Sequence, residues 1–93
     1  MTLERRLVAL VSAEVARART LYPSFHSGHE GYAVIREELD ELWDEVKASK
    51  GLMQSELAGL EAVQVAAMAL RFALDLCDVQ GIETVLAAKR TGA

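Results

Sequence analysis

The sequence predicts an all-α protein, a small bundle of about four helices that is completed by oligomerisation. Glycine and proline divide the chain into segments whose apolar residues recur with helical spacing, and no stretch alternates between apolar and polar residues as a strand would. The chain is 52% hydrophobic and 26% charged, which is typical of a globular protein. Its 93 residues accommodate one domain, so we expect residues 1–93 to form a single helical unit.

The first two helices have recognisable start and stop signals. A helix is predicted over Thr2–Leu21 because its apolar residues fall on one stripe, and Pro23 ends it by disfavouring helical backbone at the residue before it. Ser27 followed three residues later by Glu30 forms a capping box. A second helix is therefore expected to run from about Gly28 to Ser49.

The third helix is predicted over Gln54–Val79, with Gly81 as a break and a short fourth helix over Ile82–Arg90. The third helix is apolar around most of its circumference, and a chain of this length has too few other elements to cover it. We therefore expect a homodimer or a homotetramer. Small residues would let another helix approach closely: Ala62, Ala66, Ala69 and Ala73. The polar residues of the helix share one narrow arc with Met68: Glu61, Gln64, Arg71, Asp75 and Asp78.

Composition and charge exclude several classes of partner. The net charge is −4 and basic residues occur in groups no larger than a pair, so a nucleic-acid partner is not expected. No signal peptide is visible, and the longest uncharged apolar run, Val65–Leu70, is too short to span a bilayer. The single cysteine, Cys77, cannot form an internal disulfide. We expect a soluble cytoplasmic protein with no membrane partner.

Residues 37–45 hold six of the chain's fourteen acidic residues. Like charges three or four positions apart on a helix repel by about 0.2–0.5 kcal/mol per pair, so this run is either a solvated face or a set of carboxylates kept for a cation. On a helical wheel, three acids point away from the apolar stripe: Glu37, Asp40 and Asp44. The other three form a row along its edge: Glu38, Glu41 and Glu45. The apolar stripe itself, predicted to face the core, comprises Tyr32, Ile35, Leu39, Leu42, Trp43 and Val46.

The polar arc of the third helix must face something polar, and the row at the edge of the stripe is the obvious candidate. Glu38, Glu41 and Glu61 would then form a cluster of carboxylate oxygens that repel one another unless a hard cation lies between them. Mg²⁺ takes oxygen ligands in octahedral geometry, commonly one or two carboxylates together with water and substrate phosphates. The pattern therefore predicts a Mg²⁺ site with a nucleotide nearby.

At these residues the chain resembles the MazG-like all-α nucleoside triphosphate pyrophosphohydrolases. Their pattern is Glu-x-x-Glu on one helix, a spacer of roughly a dozen to thirty residues, and Glu-x-x-Asp on the next helix. Here Glu38-Leu-Asp-Glu41 matches the first half, and Glu61-Ala-Val-Gln64 matches the second half with one change. The similarity extends over about residues 25–90, including the segment Gly-Ile-x-x-Val-Leu-Ala-Ala-Lys at 81–89.

The resemblance implies hydrolysis of a nucleoside triphosphate between its α and β phosphates, giving a monophosphate and pyrophosphate, with surplus or non-canonical nucleotides as substrates. It also implies roles by position. The metal ligands would be Glu38, Glu41, Glu61 and Gln64, with Glu38 and Glu41 also catalytic. The residues nearest the substrate would be Arg71, Lys89 and Glu45. Arg71 has an equally good alternative, because Asp75 lies four positions further along the same helix and can pair with it.

Gln64 is the departure from the family pattern. A neutral amide replaces a carboxylate there, so a bound metal ion would be held less tightly and Gln64 could not act as a base. Two other functions therefore stay open: a nucleotide-binding or sensing module with reduced turnover, and a purely structural helical oligomer whose acidic row is solvated.

Overall fold

The computed structural model describes residues 1–92, which form four α-helices. No strand occurs in this part of the chain, so the predicted all-α class is confirmed. The helices are α1 (Leu3–Leu21), α2 (Gly28–Ala48), α3 (Glu56–Leu76) and α4 (Val79–Arg90).

The central helix is α3, which packs against both α2 and α1. The short link between α2 and α3 makes them an antiparallel pair. The core lies where α1, α2 and α3 meet, and it is small. Its buried members are Val15, Ala18, Ala67 and Met68, with Val11, Val34 and Ile35 packed around them. Every residue of α4 is exposed, so this helix adds nothing to that core.

Each helix begins at a residue whose side-chain oxygen accepts a hydrogen bond from a backbone N–H of the first turn. The predicted cap at Ser27 is confirmed, because its hydroxyl accepts from the Glu30 N–H at 3.1 Å. The second half of the capping box differs from the prediction. The Glu30 carboxylate accepts from the backbone N–H of His26 at 3.2 Å rather than from Ser27, which extends the cap by one residue.

The predicted boundary between the third and fourth helices was wrong. The third helix ends at Leu76, and Asp78 caps the next helix, its carboxylate accepting from the Gly81 N–H at 2.9 Å. Gly81 therefore lies inside the first turn of α4 instead of breaking α3. Aspartate is a preferred N-cap residue because its carboxylate accepts from a backbone N–H of the first turn. Here that hydrogen bond outweighs the weak helix-breaking tendency of one glycine.

The apolar stripe of α2 is only partly covered. Ile35, Leu42 and Val46 are half-buried, as predicted for residues facing a core. Tyr32, Leu39 and Trp43 are instead 59%, 48% and 57% exposed, so the prediction that they pack in the core is wrong for the single chain. Among the described helices, α2 makes its main contacts with α3, and these leave part of the stripe uncovered.

One close contact sets how α2 lies on α3. Gly31 is buried against the ring of Phe72, and a Cβ atom at position 31 would come within 2.5 Å of the Phe72 Cδ2. Real Cβ atoms do not approach a carbon so closely, so only glycine allows the two helices to approach this far without the ring moving.

By length and composition alone, α3 could cross a membrane, and it is the one helix of the described residues with this property. The central helix of a soluble bundle passes the same test. Two of its polar side chains bond towards α1: Gln64 donates to Glu14 of α1, and Arg71 donates to the carbonyl of Pro23 in the link that follows α1.

Candidate metal centre

Three of the predicted metal ligands lie together. Glu38 and Glu41 come from α2 and Glu61 comes from α3, and one carboxylate oxygen from each lies within 4.8 Å of the others. Glu38 and Glu61 are half-buried, whereas Glu41 is exposed at the edge of the group. The antiparallel pairing of α2 and α3 therefore brings the two halves of the sequence pattern to one place, as expected. We call these three residues the acidic cluster.

The electrostatics of the acidic cluster are unfavourable without a cation. Burial raises the pKa of Glu38, and the charges of Glu41 and Glu61 raise it further. Burial also raises the pKa of Glu61, with Glu41 as the next largest cause and Glu45 as a smaller one. The folded chain therefore disfavours full ionisation of the cluster.

No basic side chain of residues 1–92 forms an ion pair with these carboxylates. Among the described residues, no Lys, Arg or His side chain lies within 4.0 Å of Glu38, Glu41 or Glu61 as an ion pair. One oxygen of Glu61, Oε2, is buried and has no hydrogen-bond partner. A buried polar atom without a partner is costly, and a bound cation would satisfy this one.

The donor set fits a hard divalent cation. Two oxygens bound to the same Mg²⁺ lie at most about 4.2 Å apart, because each metal–oxygen distance is about 2.1 Å. Among three ligands of one octahedral ion at least two pairs are cis, about 3.0 Å apart, so oxygens within 4.8 Å of one another would close by up to about 2 Å through side-chain rotation. Two half-buried carboxylates and an exposed one also leave open positions on the ion for water or for a phosphate oxygen.

The outward acids of α2 behave differently from the acidic cluster. Asp40 lies 4.0 Å from the guanidinium of Arg36, and Asp44 lies 3.4 Å from the ammonium of Lys47. All four side chains are more than half exposed. Water and bases on the same helix therefore balance these charges, which agrees with a solvated face.

Gln64 lies one turn beyond Glu61 on α3 and is held by α1. Its amide nitrogen donates to the Glu14 carboxylate at 2.7 Å, and the Arg17 guanidinium donates to the same oxygen at 3.1 Å. These two donors lower the pKa of Glu14, with Arg17 as the larger cause. A carboxylate only accepts, so the nitrogen of Gln64 must face Glu14 and the amide oxygen must face elsewhere.

A cavity of about 320 Å³ adjoins the acidic cluster and shares Glu38 with it. That volume is at the lower end of the range for ligand pockets, about 300–1,000 Å³. The cavity lies between α1, α2 and α3, so it combines apolar walls with two guanidinium groups. Its lining residues are Arg17, Ala18, Tyr22, Val34, Glu37, Glu38, Gln64, Met68 and Arg71.

Arg71 is buried on the floor of this cavity, and much of its bonding capacity is used by the fold. One nitrogen donates to the backbone carbonyl of Pro23 at 2.6 Å, and the guanidinium lies 4.1 Å from the centre of the Phe25 ring. Its Nε lies 3.5 Å from the carboxylate of Asp75, which also accepts from the Phe25 N–H at 3.1 Å. Arg71 and Asp75 thus anchor the link between α1 and α2, and the pairing expected as an alternative to phosphate contact is present.

The remaining two predicted substrate residues lie in different places. Glu45 lies close enough to Glu61 for its charge to help raise the pKa of Glu61. Lys89 lies on α4 and lines a separate apolar cavity that shares no residue with the cavity next to Glu38. Within one chain, the structure does not bring Lys89 to the acidic cluster.

Sequence reasoning missed the contribution of α1 to this region. Glu14, Arg17 and Tyr22 all come from the first helix or its end, and none was singled out. Glu14 and Arg17 are three positions apart, which indicates an ion pair on one helix. No local pattern, however, indicates that this pair would lie against Gln64, fifty residues away.

Comparisons with protein-family models, with curated proteins and with solved structures find no match to this chain.

Proposed function

We propose that this chain is a Mg²⁺-dependent nucleoside triphosphate pyrophosphohydrolase of MazG-like type, acting on surplus or non-canonical nucleotides in the cytoplasm. The observation that carries the proposal is the acidic cluster: three carboxylates from two helices, with no internal cation, a buried unpartnered oxygen on Glu61, and an adjoining cavity. Such a cluster is costly to keep in a chain of this size unless a cation binds there.

The residues of the acidic cluster would have different roles, because their side chains differ in exposure to solvent. Glu38 and Glu61 are half-buried and would hold the ion, and Gln64, one turn beyond Glu61, would offer at most a neutral amide oxygen. Bound Mg²⁺ would supply positive charge that stabilises the negative charge of the phosphate groups. Glu41 is open to solvent, so it can orient or deprotonate the attacking water. Attack at the α phosphorus breaks its bond to the α–β bridging oxygen and releases pyrophosphate.

The cavity beside Glu38 would hold the rest of the nucleotide. Tyr22 and Met68 supply apolar walls that suit a base or a sugar, while Arg17 and Arg71 supply positive charge. The hydrogen bond of Arg71 to the Pro23 carbonyl and its ion pair with Asp75 restrict its movement. It therefore acts as a fixed wall of the cavity, and Arg17 is the more mobile phosphate partner because its side chain is half exposed.

A second function is favoured by Gln64. The position that carries an aspartate in MazG-like enzymes carries an amide here, and that amide is engaged by Glu14. Metal affinity would then be lower and one candidate base would be missing. A nucleotide sensor that binds tightly and turns over slowly would have this arrangement.

The experiment that tests the proposal measures pyrophosphate release from a panel of canonical and modified nucleoside triphosphates with Mg²⁺. We expect release from at least one nucleotide, and loss of release in Glu41→Gln. The matched control is Asp44→Asn, which removes a carboxylate three positions along α2 that is paired with Lys47 and exposed. Its turnover should equal that of the unmodified chain.

The other outcomes separate the alternatives. Tight binding of a nucleotide without release would favour the sensor. A melting temperature that neither Mg²⁺ nor any nucleotide raises would favour the purely structural oligomer. Unchanged turnover in Glu41→Gln would overturn the assignment of the site.

A further inference from the structure

Two guanidinium groups line the cavity beside Glu38, and they differ in how firmly the fold holds them. Arg71 is buried, donates to the Pro23 carbonyl at 2.6 Å and pairs with Asp75. The side chain of Arg17, which comes from α1, is instead 56% exposed. Among the described residues that line the cavity, Arg17 is therefore the basic side chain that can turn towards Glu38.

Arg17 makes no ion pair with Glu38, although both side chains line the same cavity of about 320 Å³. Its Nε and Nη2 both donate to one oxygen of Glu14, Oε2, at 3.3 and 3.1 Å. Glu14 lies one turn before Arg17 on α1 and does not line this cavity. The Glu14 carboxylate therefore holds the guanidinium from behind the cavity wall.

Glu14 is itself held from α3 by Gln64. The amide nitrogen of Gln64 donates to the same Oε2 at 2.7 Å, the shortest of the three bonds to that oxygen. Hydrogen bonds from Arg17 and from Gln64 lower the pKa of Glu14, whereas burial and neighbouring carboxylates raise the pKa of Glu38. The amide thus helps to keep Glu14 ionised as a partner for Arg17.

We infer that Glu14 is a positioning residue that withholds Arg17 from the acidic cluster and so keeps the cluster open to a divalent cation. Without Glu14, the Arg17 guanidinium would turn to Glu38 and supply the positive charge that the cluster lacks. Glu37 also lines the cavity, but it is exposed, so water already stabilises its charge. This role of Glu14 rests on the proposed Mg²⁺ site and adds α1 to it.

The same arrangement gives the amide at position 64 a purpose of its own. Gln64 can donate to Glu14, which an ionised aspartate could not do, because a carboxylate only accepts. An aspartate there would also repel Glu14 and offer Arg17 a second acid. The amide therefore stabilises the pair that keeps Arg17 away from Glu38.

Calorimetric titration of the nucleotide-free chain with MgCl₂ tests the role of Glu14. Glu14→Ala should weaken Mg²⁺ binding by about tenfold, a loss typical of residues that support a metal site from behind its ligands. Removing Arg17 as well should restore binding to within about threefold of the unmodified chain. Arg17→Ala alone should bind Mg²⁺ at least as tightly as the unmodified chain, because a positive charge leaves the neighbourhood of the cluster. A loss that persists in the double variant would overturn the inference and leave Glu14 a structural role only.

Two further variants complete the titration. Glu14→Gln keeps an oxygen that can accept from Arg17 but loses the charge, so affinity should fall by only about threefold. This variant covers the case in which Glu14→Ala does not fold, and unchanged affinity in both variants would contradict the inference. The matched control is Asp44→Ala, which breaks another acid–base pair three positions apart, with Lys47 at 3.4 Å. Its Mg²⁺ affinity should stay within about twofold of the unmodified chain, because that pair is exposed.

A measurement without metal separates this role of Glu14 from the proposed activity. In the unmodified chain, Glu38→Gln should raise the melting temperature, because it relieves burial of a charge and repulsion within the acidic cluster. In a Glu14→Ala background the same change should lower the melting temperature, because Arg17 would lose its new partner. A rise of equal size in both backgrounds would overturn the inference. A reversal of sign in a chain that binds no Mg²⁺ would support the hold of Glu14 on Arg17 and contradict the proposed activity.

Discussion

Charged side chains near the two ends of α3 differ in whether they have partners of opposite charge. Near its start, Glu61 joins Glu38 and Glu41 in a cluster with no internal cation. Near its end, Arg71 and Asp75 are both buried, but they pair with each other and bond to the link between α1 and α2. Both groups lie on the same arc of the helix, so sequence position alone would treat them alike.

The difference separates charge that stabilises the fold from charge that we propose binds a cation. At the Arg71 end, charges of both signs are present, and removing one leaves the other buried and unpaired. At the Glu61 end, charges of one sign are gathered, and removing one relieves repulsion. We therefore expect substitutions at the two ends to change stability in opposite directions, and the following predictions test that contrast.

The largest effect is expected at the balanced end. Arg71→Met keeps much of the side-chain volume but leaves the fully buried carboxylate of Asp75 with only the Phe25 N–H and a distant contact to Arg19. The free energy of unfolding should fall by about 3–5 kcal/mol, as for other broken buried pairs. Urea unfolding followed by circular dichroism measures it. Arg36→Met, which breaks an exposed pair with Asp40, is the control and should cost less than about 1 kcal/mol.

The next effect is expected at the unbalanced end. Glu61→Gln should lower pyrophosphate release by about 100-fold or more, because it removes a ligand of the proposed ion. The same change should raise the free energy of unfolding of the metal-free protein by about 0.5 kcal/mol, since it relieves repulsion with Glu38 and Glu41. Activity and stability would then move in opposite directions. A variant that lost both would show that Glu61 has a structural role only.

A smaller effect is expected from exchanging the side chains of Gln64 and Glu14, which are hydrogen-bonded to each other. Gln64→Asp alone places a carboxylate near Glu14 and removes the bond between them, so the unfolding free energy should fall by about 1 kcal/mol. Adding Glu14→Gln restores a donor opposite the new acid. The double variant should bind Mg²⁺ about tenfold more tightly than the unmodified chain and turn over faster, because it has a fourth carboxylate. Magnesium titration with a thermal-shift readout measures the affinity, and equal affinity would show that position 64 does not contact the ion.

The smallest effect is a dependence of stability on pH. The pKa of Glu38 and Glu61 is raised above the ordinary 4.5 in the folded chain, so the folded state binds more protons than the unfolded state in the window above 4.5. The unfolding free energy of the metal-free protein should therefore rise as pH falls through those raised values, and level off near 4.5. The pKa of Glu14 is lowered, so its contribution to the unfolding free energy is lost only as pH falls below about 4.5.

The control for this pH effect is the double variant Glu38→Gln, Glu61→Gln. Its unfolding free energy, measured in urea at several pH values between 7 and 5, should lack the rise that the unmodified chain shows. Saturating Mg²⁺ should also remove the rise, because a bound cation favours the ionised carboxylates. A rise of equal size in the double variant would mean that other groups are responsible.

Much of the fold was predictable because its signals are local. Helical periodicity, Pro23 and the cap at Ser27 depend on residues a few positions apart, and they set α1 and α2 to within a residue or two. The start of α4 differs from the prediction because Asp78 caps that helix, so Gly81 does not act as a break. Here a side-chain hydrogen bond outweighs a backbone preference of about 1 kcal/mol.

The candidate site was only partly predictable because it combines local and long-range parts. The spacing within α2 and α3 was enough to gather Glu38, Glu41 and Glu61, since one antiparallel pairing aligns them. The bond between Glu14 and Gln64 joins residues fifty positions apart, and it depends on how α1 lies on α3. The residue pattern of a single helix does not indicate the angle at which α1 packs on α3.

The glycine at position 31 has a consequence for the acidic cluster that its own location does not suggest. In an antiparallel helix pair the numbers of facing residues have a nearly constant sum, and Gly31 with Phe72 and Glu41 with Glu61 fit the same register. The contact at Gly31 therefore determines which turns of the two helices face each other ten residues away, about 15 Å along α2. A methyl group at position 31 would therefore shift α2 against α3 and move the carboxylates of the acidic cluster relative to one another, although no residue of the cluster is substituted.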